Sequence, residues 1–369
     1  TFKAKFLKQR HGVLLITPES LEALLCNRGS SIAAVFQMTA FFVVDELHAF
    51  IGSERGKQLQ SLMHRIENVL RRKVPRVGLS ATLGDMGLAA DFLRPGHGTG
   101  VSMVVSASGA NELKILVKGY EEPLVVRQGG EEEAPEPATP GLIAAHLYKA
   151  LRSSNNLVFP NSRREVERYT NLLNGLCERN QVPQEFWPHH GSLSKEIRAE
   201  TEAALKQKEV PATAICTNTL ELGIDIGAVK SVVQIGPPPS VASLRQRLGR
   251  SGRRKGEPAI LRGYCIEDAI DVHSGFGTRL RLGLVQTVAM ISLLLEGWFE
   301  PPVTQGAHLS TLVQQMLSAI AQNGGATIGQ LHALLCATRT PFEGTTKEDF
   351  MSLVRHLGTK ELLVLDSSG

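Results

Sequence analysis

The stretch of the chain with the clearest chemical signal is Gln246–Arg253, which reads Gln-Arg-Leu-Gly-Arg-Ser-Gly-Arg and is followed by Arg254 and Lys255. It comes shortly after the apolar run Ser231–Ile235, which is typical of a buried strand. Guanidinium groups are planar, stay charged when they lose water, and match the oxygens of a phosphate. The stretch therefore predicts an anion-binding loop that faces a nucleotide phosphate or a nucleic-acid backbone. The alternative is a solvated loop without a ligand.

Three side chains of this loop could act in phosphoryl transfer. Arg250 and Arg253 lie three residues apart, so both could reach one polyphosphate and stabilise the charge that develops on it. Gln246 could hold the attacking water. The glycines at positions 249 and 252 would let the backbone approach the ligand closely.

Two adjacent carboxylates, Asp45 and Glu46, follow the apolar run Phe41–Val44. This placement is typical of Mg²⁺ chemistry, in which one carboxylate holds the ion through its waters and the next orients a nucleophilic water. His48 could couple this site to a facing lobe. The alternatives are a helix N-cap pair for the carboxylates and a structural role for the histidine.

Small hydroxyls, glycines and exposed backbone amides follow several strand-like runs. Such groups suit contacts with sugar and phosphate that position a strand without reading its sequence. Each one by itself is more often a turn or cap residue, so the repetition carries the prediction. We expect nucleic-acid contacts from Thr17, Pro18, Glu19, Ser162, Arg163, Gly191, Ser192, Thr217 and Thr219.

Short β-branched runs alternate with longer helical stretches, which predicts parallel α/β sheets. The predicted helices include Leu59–Leu70, Arg164–Leu176 and Lys195–Lys206. The predicted strands are Val13–Ile16, Phe41–Val44, Val77–Leu79, Asn156–Phe159, Ala212–Cys216 and Val232–Ile235. A polar cluster follows each strand, and ligands bind beyond the carboxyl ends of strands in open parallel sheets. This pattern predicts two lobes that close on a shared ligand.

The segment Arg127–Gly141 is acidic and rich in proline and glycine, so it predicts a linker. Near the end of the chain, apolar residues at helical spacing precede the strand-like run Glu361–Leu365, which predicts a winged-helix module. That module could bind DNA or brace the lobes. The predicted domains are a first lobe at 1–126, the linker at 127–141, a second lobe at 142–284, and a connector helix with the winged helix at 285–369.

Composition sets broader bounds on the class of protein. The 369 residues are 42% hydrophobic, which is enough for sizeable cores in two or three domains. Lys and Arg number 40 against 36 Asp and Glu, so the net charge of +4 says little about nucleic acid. The five cysteines contain no C-x-x-C pair, which argues against zinc and a disulfide framework. With no signal-like start and no apolar run of membrane-spanning length, a reducing cytoplasm is the expected location.

Several motifs together resemble those of superfamily 2 helicases of the DEAD/DEAH-box type. They are TPES, DELH, SAT, FPNSRRE, HHGSLSKEIR, TNTLELGIDIGAVKSVVQIGPPPS and QRLGRSGRR, and they extend over nearly the whole chain. The phrases HHGSLS, LELGIDIG and PPPSV are most similar to the Lhr (large helicase-related) family. The resemblance implies two RecA-like parallel-sheet lobes, the first incomplete, followed by a winged helix. It also implies an ATP-dependent translocase on single-stranded or forked DNA, with 3′-to-5′ polarity.

The resemblance assigns roles to individual residues of the first lobe. Asp45 and Glu46 would hold Mg²⁺ and activate water, so ATP and Mg²⁺ are the implied cofactors. Ser80 and Thr82, together with His48, would couple hydrolysis to movement.

The resemblance assigns further roles in the second lobe. Gly223 and Asp225 would lie near the nucleotide sugar and the cleft between the lobes. Gln246 would position water, and Arg250 and Arg253 would be finger residues that stabilise the transferred phosphoryl group.

One expected motif is missing, because no G-x-x-x-x-G-K-[ST] phosphate loop occurs in the sequence. The backbone cradle and the lysine for the β- and γ-phosphates are therefore lacking. We expect a catalytically incomplete piece of a longer enzyme, or a split helicase whose loop lies on a partner chain. Two other functions remain open, namely an RNA helicase or remodelling factor and a non-catalytic nucleic-acid-binding scaffold. DNA repair is among the pathways that a DNA helicase of this kind could serve.

Overall fold

The structure is a computed structural model in which the chain forms two compact units. It describes Phe6, Gln9 and residues 11–80, 83–105, 112–123, 138–207, 210–221, 226–227, 229–254 and 256–364. The first unit combines Thr1–Val105 with Pro301–Gly369, and the second is Ser106–Glu300.

The first unit contains a parallel pair of short strands, β1 (Phe42–Val44) and β2 (Arg76–Gly78), with Val43 opposite Val77. Its first helices are α1 (Pro18–Asn27), α2 (Ile32–Phe36), α3 (Glu54–Leu70) and α4 (Met86–Leu93). Helix α3 begins at a Ser53 cap, whose hydroxyl accepts the Gly56 N–H at 3.0 Å. The buried side chains of α3 and α4 pack against β1 and fix the turn that follows it.

The predicted strand Val13–Ile16 was wrong, because these residues form no strand in the structure. Val13 is 94% exposed and Leu15 is 97% exposed. Apolar side chains form a strand only when a neighbouring strand satisfies the backbone groups. In the described part of the chain, no strand pairs with this run.

The second unit is built around six parallel strands in the order β3-β8-β7-β4-β6-β5. The strands are β3 (Leu113–Glu122), β4 (Asn156–Pro160), β5 (Phe186–His189), β6 (Thr213–Cys216), β7 (Ser231–Ile235) and β8 (Ala259–Asp268). The helices are α5 (Thr139–Leu151), α6 (Arg163–Arg179), α7 (Lys195–Lys206), α8 (Val241–Leu248), α9 (Phe276–Arg279) and α10 (Leu282–Leu295). The prediction of parallel α/β sheets is confirmed.

Both faces of the second sheet are buried, as near-continuous apolar strands require. Along β4, Leu157 and Phe159 belong to one core cluster, while Val158 belongs to the other. Helices α8 and α10 contribute to the first cluster, and α5 and α6 contribute to the second. The helices therefore cover the sides of the sheet and leave the carboxyl ends of its strands to the loops that carry the predicted site residues.

The division of the chain differs from the predicted domains in two places. Strand β3, which was expected in the first lobe, pairs along its whole length with β8 in the second sheet. Residues 301–369 group with the first unit, whereas the connector helix α10 packs on the second sheet. Most of the predicted linker lies outside the described residues. Helix α5 begins at Thr139, so it includes the last residues of the predicted linker, which was expected to end at Gly141.

The C-terminal part of the first unit consists of α11 (Leu309–Asn323), α12 (Ile328–Leu335) and α13 (Lys347–Thr359), which share a small apolar core. The predicted strand Glu361–Leu365 is not seen in residues 361–364, and Leu365 lies outside the described residues. Leu362 and Val364 are exposed. Three helices are thus present, no wing strand occurs in residues 361–364, and the winged-helix module stays a prediction.

Helix α11 packs closely on the first lobe through buried polar groups. Arg65 is 1% exposed and donates to Gln315, Ser318 and Gln322 at 2.6 to 3.0 Å. A Cβ added to Gly29 would lie 1.7 Å from the carbonyl oxygen of Gln322. The C-terminal helices are therefore an integral part of the first unit.

Among the described residues, no helix is both long enough and apolar enough to cross a bilayer.

Candidate functional site

The predicted carboxylate pair lies in the turn after β1, beside the segment that follows β2. The backbone N–H of Leu47 donates to the carbonyl of Leu79 at 2.8 Å and holds the two segments together. His48 Nδ1 lies 3.1 Å from Ser80 Oγ and 3.6 Å from Glu46 Oε2. The histidine thus joins the carboxylate turn to the segment after β2, and its coupling role stays a prediction.

The turn itself has an unusual backbone. Glu46 has a φ of +49°, a left-handed conformation that costs a non-glycine residue about 1 to 2 kcal/mol. Its N–H donates to Asp45 Oδ1 at 3.0 Å, which partly offsets that cost. Non-glycine residues in this region cluster at functional sites, where the surrounding structure fixes them.

The exposed carboxylate of Asp45 fits the expected magnesium ion. Within the described ranges, no group of three or more His, Cys, Asp or Glu side chains could hold a metal. Mg²⁺ does not need such a group, since it keeps several waters and uses one or two carboxylates together with substrate phosphates. Asp45 and Glu46 supply that number of carboxylates.

Three of the predicted site residues lie outside the described residues, namely Thr82, Gly223 and Asp225. Their roles stay predictions from the motifs.

The two predicted finger arginines have different environments. Arg250 is 7% exposed, and its Nε and Nη2 donate to the carbonyl of Glu221 at 3.2 and 2.8 Å. Arg253 is exposed, and its Nε donates to the carbonyl of Gly249 at 3.1 Å. The expectation that both arginines face one ligand stays a prediction. Arg253 presents its guanidinium at the surface, whereas Arg250 anchors the segment at Glu221 in the interior.

Sequence reasoning missed Arg247, which lies next to Gln246 on α8. Its guanidinium is 4% exposed, donates to Glu221 Oε2 from Nε and Nη2 at 3.0 and 2.9 Å, and donates to Gln234 Oε1 at 2.5 Å. Gln234 in turn donates to Asn161 Oδ1 at 3.2 Å. The one available signal was a glutamine inside the otherwise apolar strand β7.

Most of the hydroxyls and glycines predicted for the second lobe line one groove. Its volume is about 830 Å³, and it opens at the carboxyl ends of β4, β6 and β7. The predicted residues that line it are Ser162, Arg163, Gly191, Thr217 and Thr219. Ser192 is exposed next to Gly191 but does not line it. Asn161 and Asn218, which belong to the same polar clusters after the strands, also line it. Sequence reasoning missed Pro160, Arg247, Gln286 and the prolines 237–239, which complete the lining.

Two of the groove hydroxyls also have structural partners. Ser162 caps α6 by accepting the Glu165 N–H at 3.2 Å. Thr219 donates to the carbonyl of His189 at 3.1 Å, so the Nδ1–H of His189 can donate to Thr219 Oγ1 at 2.7 Å. Burial lowers the pKa of His189, and the Glu202 carboxylate, whose Oε1 lies 3.3 Å from Nε2, acts against that shift. These bonds fix the groove wall.

The three residues predicted for nucleic acid in the first lobe mainly build α1. Thr17 caps the helix by accepting the Ser20 N–H at 3.3 Å, and Pro18 is buried in its first turn. Glu19 pairs with Arg55 at 2.5 Å, and this partner holds the pKa of the Glu19 carboxyl at about 2. The structural reading explains these three positions, and their contact with nucleic acid stays a prediction.

Comparisons with known proteins agree with the fold and with the motifs. The family model for DEAD/DEAH box helicases matches residues 2–88, and the model for the helicase conserved C-terminal domain matches residues 142–255. The ATP-dependent helicase Lhr-Core of Methanothermobacter thermautotrophicus is 31% identical over 364 residues, which are 96% of this chain and 38% of the relative. The Lhr helicase/uracil glycosylase of Escherichia coli is 30% identical over 87% of this chain and 22% of that protein. The structure of Mycobacterium smegmatis helicase Lhr bound to ssDNA and AMP-PNP is similar, with a TM-score of 0.75 and 26% identity over 96% of this chain and 43% of that one.

The chain belongs to the Lhr family of superfamily 2 helicases.

The fold is also shared with a helicase that is less similar in sequence. The DUF1998 helicase MrfA bound to DNA and AMPPNP has a TM-score of 0.65 at 22% identity, which shows a shared fold. The chain spans well under half the length of the Lhr relatives named above, at 22% and 38%. The similarity to the Lhr relatives therefore concerns the two α/β units, including the helices α11 to α13 of the first unit.

Proposed function

We propose that this chain is the motor part of an ATP-dependent helicase that translocates 3′ to 5′ along single-stranded DNA. The observation that carries the proposal is the joining of the carboxylate turn to the segment after β2 through His48 and Ser80, 3.1 Å apart. This link gives a route by which events at Asp45 and Glu46 reach a second segment of the lobe. The relatives named ATP-dependent helicases support the use of ATP.

The proposed chemistry is hydrolysis of the terminal phosphate bond. Bound Mg²⁺ would neutralise charge on the phosphates, with Asp45 as the residue that holds it. Glu46 would take the proton of the attacking water, since its carboxylate sits in the same turn. Gln246 would orient that water, and the exposed guanidinium of Arg253 would meet the developing charge. Arg250 would act from the interior by fixing the segment at Glu221.

The groove of the second unit is the proposed path for the DNA backbone. Its wall offers hydroxyls, backbone amides and Arg163, which recognise phosphate and sugar without reading bases. The structure of M. smegmatis Lhr was determined with ssDNA, which supports DNA as the strand. Unwinding measured on matched DNA and RNA tracking strands separates the DNA helicase from the RNA helicase.

The test is ATP hydrolysis with and without single-stranded DNA. Because the chain has no phosphate loop, the assay includes the segment that carries one, in the same polypeptide or as an added partner. We expect stimulation by DNA and a loss of about 100-fold or more in Glu46→Gln. Glu348→Gln, which changes an exposed carboxylate in the first turn of α13, is the matched control. The proposal is overturned if DNA does not change the rate of ATP hydrolysis, or if Glu46→Gln does not lower that rate.

Arg253→Ala tests the finger assignment separately. Turnover should fall about 10³-fold or more, while the melting temperature stays within a degree or so of the wild-type value, because the side chain is exposed. Polarity is tested by displacement of streptavidin from biotin at one end of an oligonucleotide. A 3′-to-5′ motor clears the 5′ end faster, and the reverse result contradicts the proposed direction.

A further inference from the structure

A second cavity lies in the first unit, away from the carboxylate turn. It has a volume of about 670 Å³ and opens at the amino end of β2, where Arg76 begins the strand. Ser80 and the carboxylate turn follow the opposite, carboxyl ends of β2 and β1. Neither the helicase motifs nor the proposed chemistry uses this cavity.

The lining of this cavity is strongly basic. Its ionisable side chains are His64, Lys73, Arg76, Arg94, His97 and Arg339. No Asp or Glu is among the described residues that line it. A basic concave surface without acidic residues concentrates anions, because field lines focus in a cleft with low-dielectric walls.

The positive charges that line the cavity outnumber the carboxylates that contact them. Glu67 is the shared partner of three of them, with Arg76 and Arg94 each at 2.9 Å and Lys73 at 3.5 Å. One carboxylate neutralises only one of three cations. Arg339 adds a further guanidinium, and the nearby Glu343 carboxylate accepts from its backbone N–H rather than from its side chain.

One buried donor in the wall is left without a partner. The Arg76 side chain is 4% exposed, and its two terminal nitrogens donate to Leu93 O and Glu67 Oε2, both at 2.9 Å. Its Nε has no hydrogen-bond partner among the described residues. Buried donors are nearly always satisfied, so this nitrogen leaves part of the Arg76 charge without a local acceptor.

The field inside the cavity also acts on His64. Burial, and then the charges of Lys73 and Arg76, lower the pKa of His64 to about 4. The ring therefore stays neutral at neutral pH, and a bound anion would raise its pKa again.

We propose that this cavity, which we call the α3–β2 pocket, binds phosphate groups, with Lys73, Arg76, Arg94 and Arg339 as the cationic residues around them. Phosphate matches the planar forks of the arginines and can carry enough charge to balance the excess. The volume admits a chain of several phosphates. The phosphates can come from a linear polyphosphate or from a nucleic-acid backbone, and the experiment separates these two sources.

The test uses inorganic tripolyphosphate and a single-stranded oligonucleotide as probes in calorimetric titrations at low salt. The variant is Lys73→Glu with Arg339→Glu, since both side chains are exposed and neither is needed to hold Arg76. We expect the Kd for tripolyphosphate to rise about tenfold or more. The control is Arg355→Glu, an exposed arginine of α13 that does not line the pocket.

The outcomes are distinct. Loss of tripolyphosphate binding with the oligonucleotide affinity unchanged assigns the pocket to free polyphosphate, and loss of both assigns it to a nucleic-acid backbone. Equal affinities in the double variant and the wild type, or an equal loss in Arg355→Glu, overturn the proposal. Nuclear magnetic resonance of His64 is a second readout. Its pKa should rise when wild-type protein binds tripolyphosphate, and an unchanged pKa contradicts phosphate binding in this pocket.

Discussion

The guanidinium carbon of Arg247 lies 4.6 Å from the centre of the Phe159 ring, inside the second unit. The same guanidinium bonds to Glu221 and Gln234, so a charge, an amide and an aromatic ring surround it. This cluster connects α8, which carries Gln246, with Asn161 at the groove. Arg247 itself lines the groove, so the cluster joins helix α8 to the proposed DNA path.

Arg247→Ala should lower the free energy of unfolding by about 3 to 5 kcal/mol, because it leaves the Glu221 carboxylate buried without its partner. Arg253→Ala, which changes an exposed arginine shortly after the end of α8, is the matched control and should change the free energy of unfolding by less than about 0.5 kcal/mol. Urea unfolding followed by circular dichroism measures both. Equal losses in the two variants would show that Arg247 is not the anchor of the cluster.

Arg163→Ala should weaken the binding of single-stranded DNA and reduce the slope of log affinity against log salt by about 0.7, since one phosphate contact is lost. The neighbouring Arg164 is also exposed but does not line the groove, so Arg164→Ala should leave the slope unchanged. Fluorescence anisotropy at several salt concentrations gives the slopes. The groove assignment fails if the two variants behave alike.

Two effects oppose a side chain at Gly252, namely backbone strain and a clash with neighbouring atoms. Gly256 shows only the first effect, so a comparison of the two positions separates them. Gly252 has a φ of +68°, and an added Cβ would lie 2.7 Å from the Ala259 nitrogen. Gly256 has a φ of +84° with open space around its missing Cβ. Gly256→Ala should cost only backbone strain, about 1 to 2 kcal/mol. Gly252→Ala should cost clearly more, because backbone atoms must also shift, and comparison of the two unfolding midpoints tests this difference.

His64 makes the stability of the first unit depend on pH. Its pKa is lowered to about 4 in the fold, by burial first and then by Lys73 and Arg76, whereas the unfolded chain takes up the proton near pH 6.5. Between these values the unfolded state binds more protons, so stability falls as the pH drops from 6.5 to 4. The loss should be at most about 3 kcal/mol.

His64→Gln removes this contribution, so its stability should fall less than that of the wild type across the same range. Thermal unfolding at pH 7 and at pH 4.5 gives the two differences. If the wild type and the variant lose the same stability, the histidine is not buried neutral in the fold.

The sequence predicted three of the four inner strands of the second sheet, β4, β6 and β7, because strands buried on both faces carry continuous apolar runs. It missed β3, β5 and β8 for physical reasons. Strand β3, at the edge of the sheet, has lysines at positions 114 and 118 that interrupt its apolar run, and β5 contains Pro188 at the other edge, where a missing N–H is tolerated. The strand prediction for Val13–Ile16 was wrong, because the composition of an apolar run does not show whether another strand pairs with it.

The candidate site was predicted in part, and the limit again has a physical cause. Residue types and positions after strands identified Asp45, Glu46, His48 and Ser80, since parallel strands bring their carboxyl ends to one edge. Burial of an individual side chain is not encoded in that pattern. Arg250 and Arg253 look equivalent in sequence, yet one points inward and the other outward. The partners of Arg247 lie far away along the chain, so no local signal predicted that cluster.

The close packing of α11 on the first lobe has a consequence for synthesis of the protein. Arg65 can reach Gln315, Ser318 and Gln322 only after the whole of residues 106–300 has left the ribosome. Domains generally fold from the N-terminus as the chain emerges, so the first unit must wait with that arginine and its neighbours exposed while the second unit is made. The order of translation therefore makes the last helices the step that completes the first lobe.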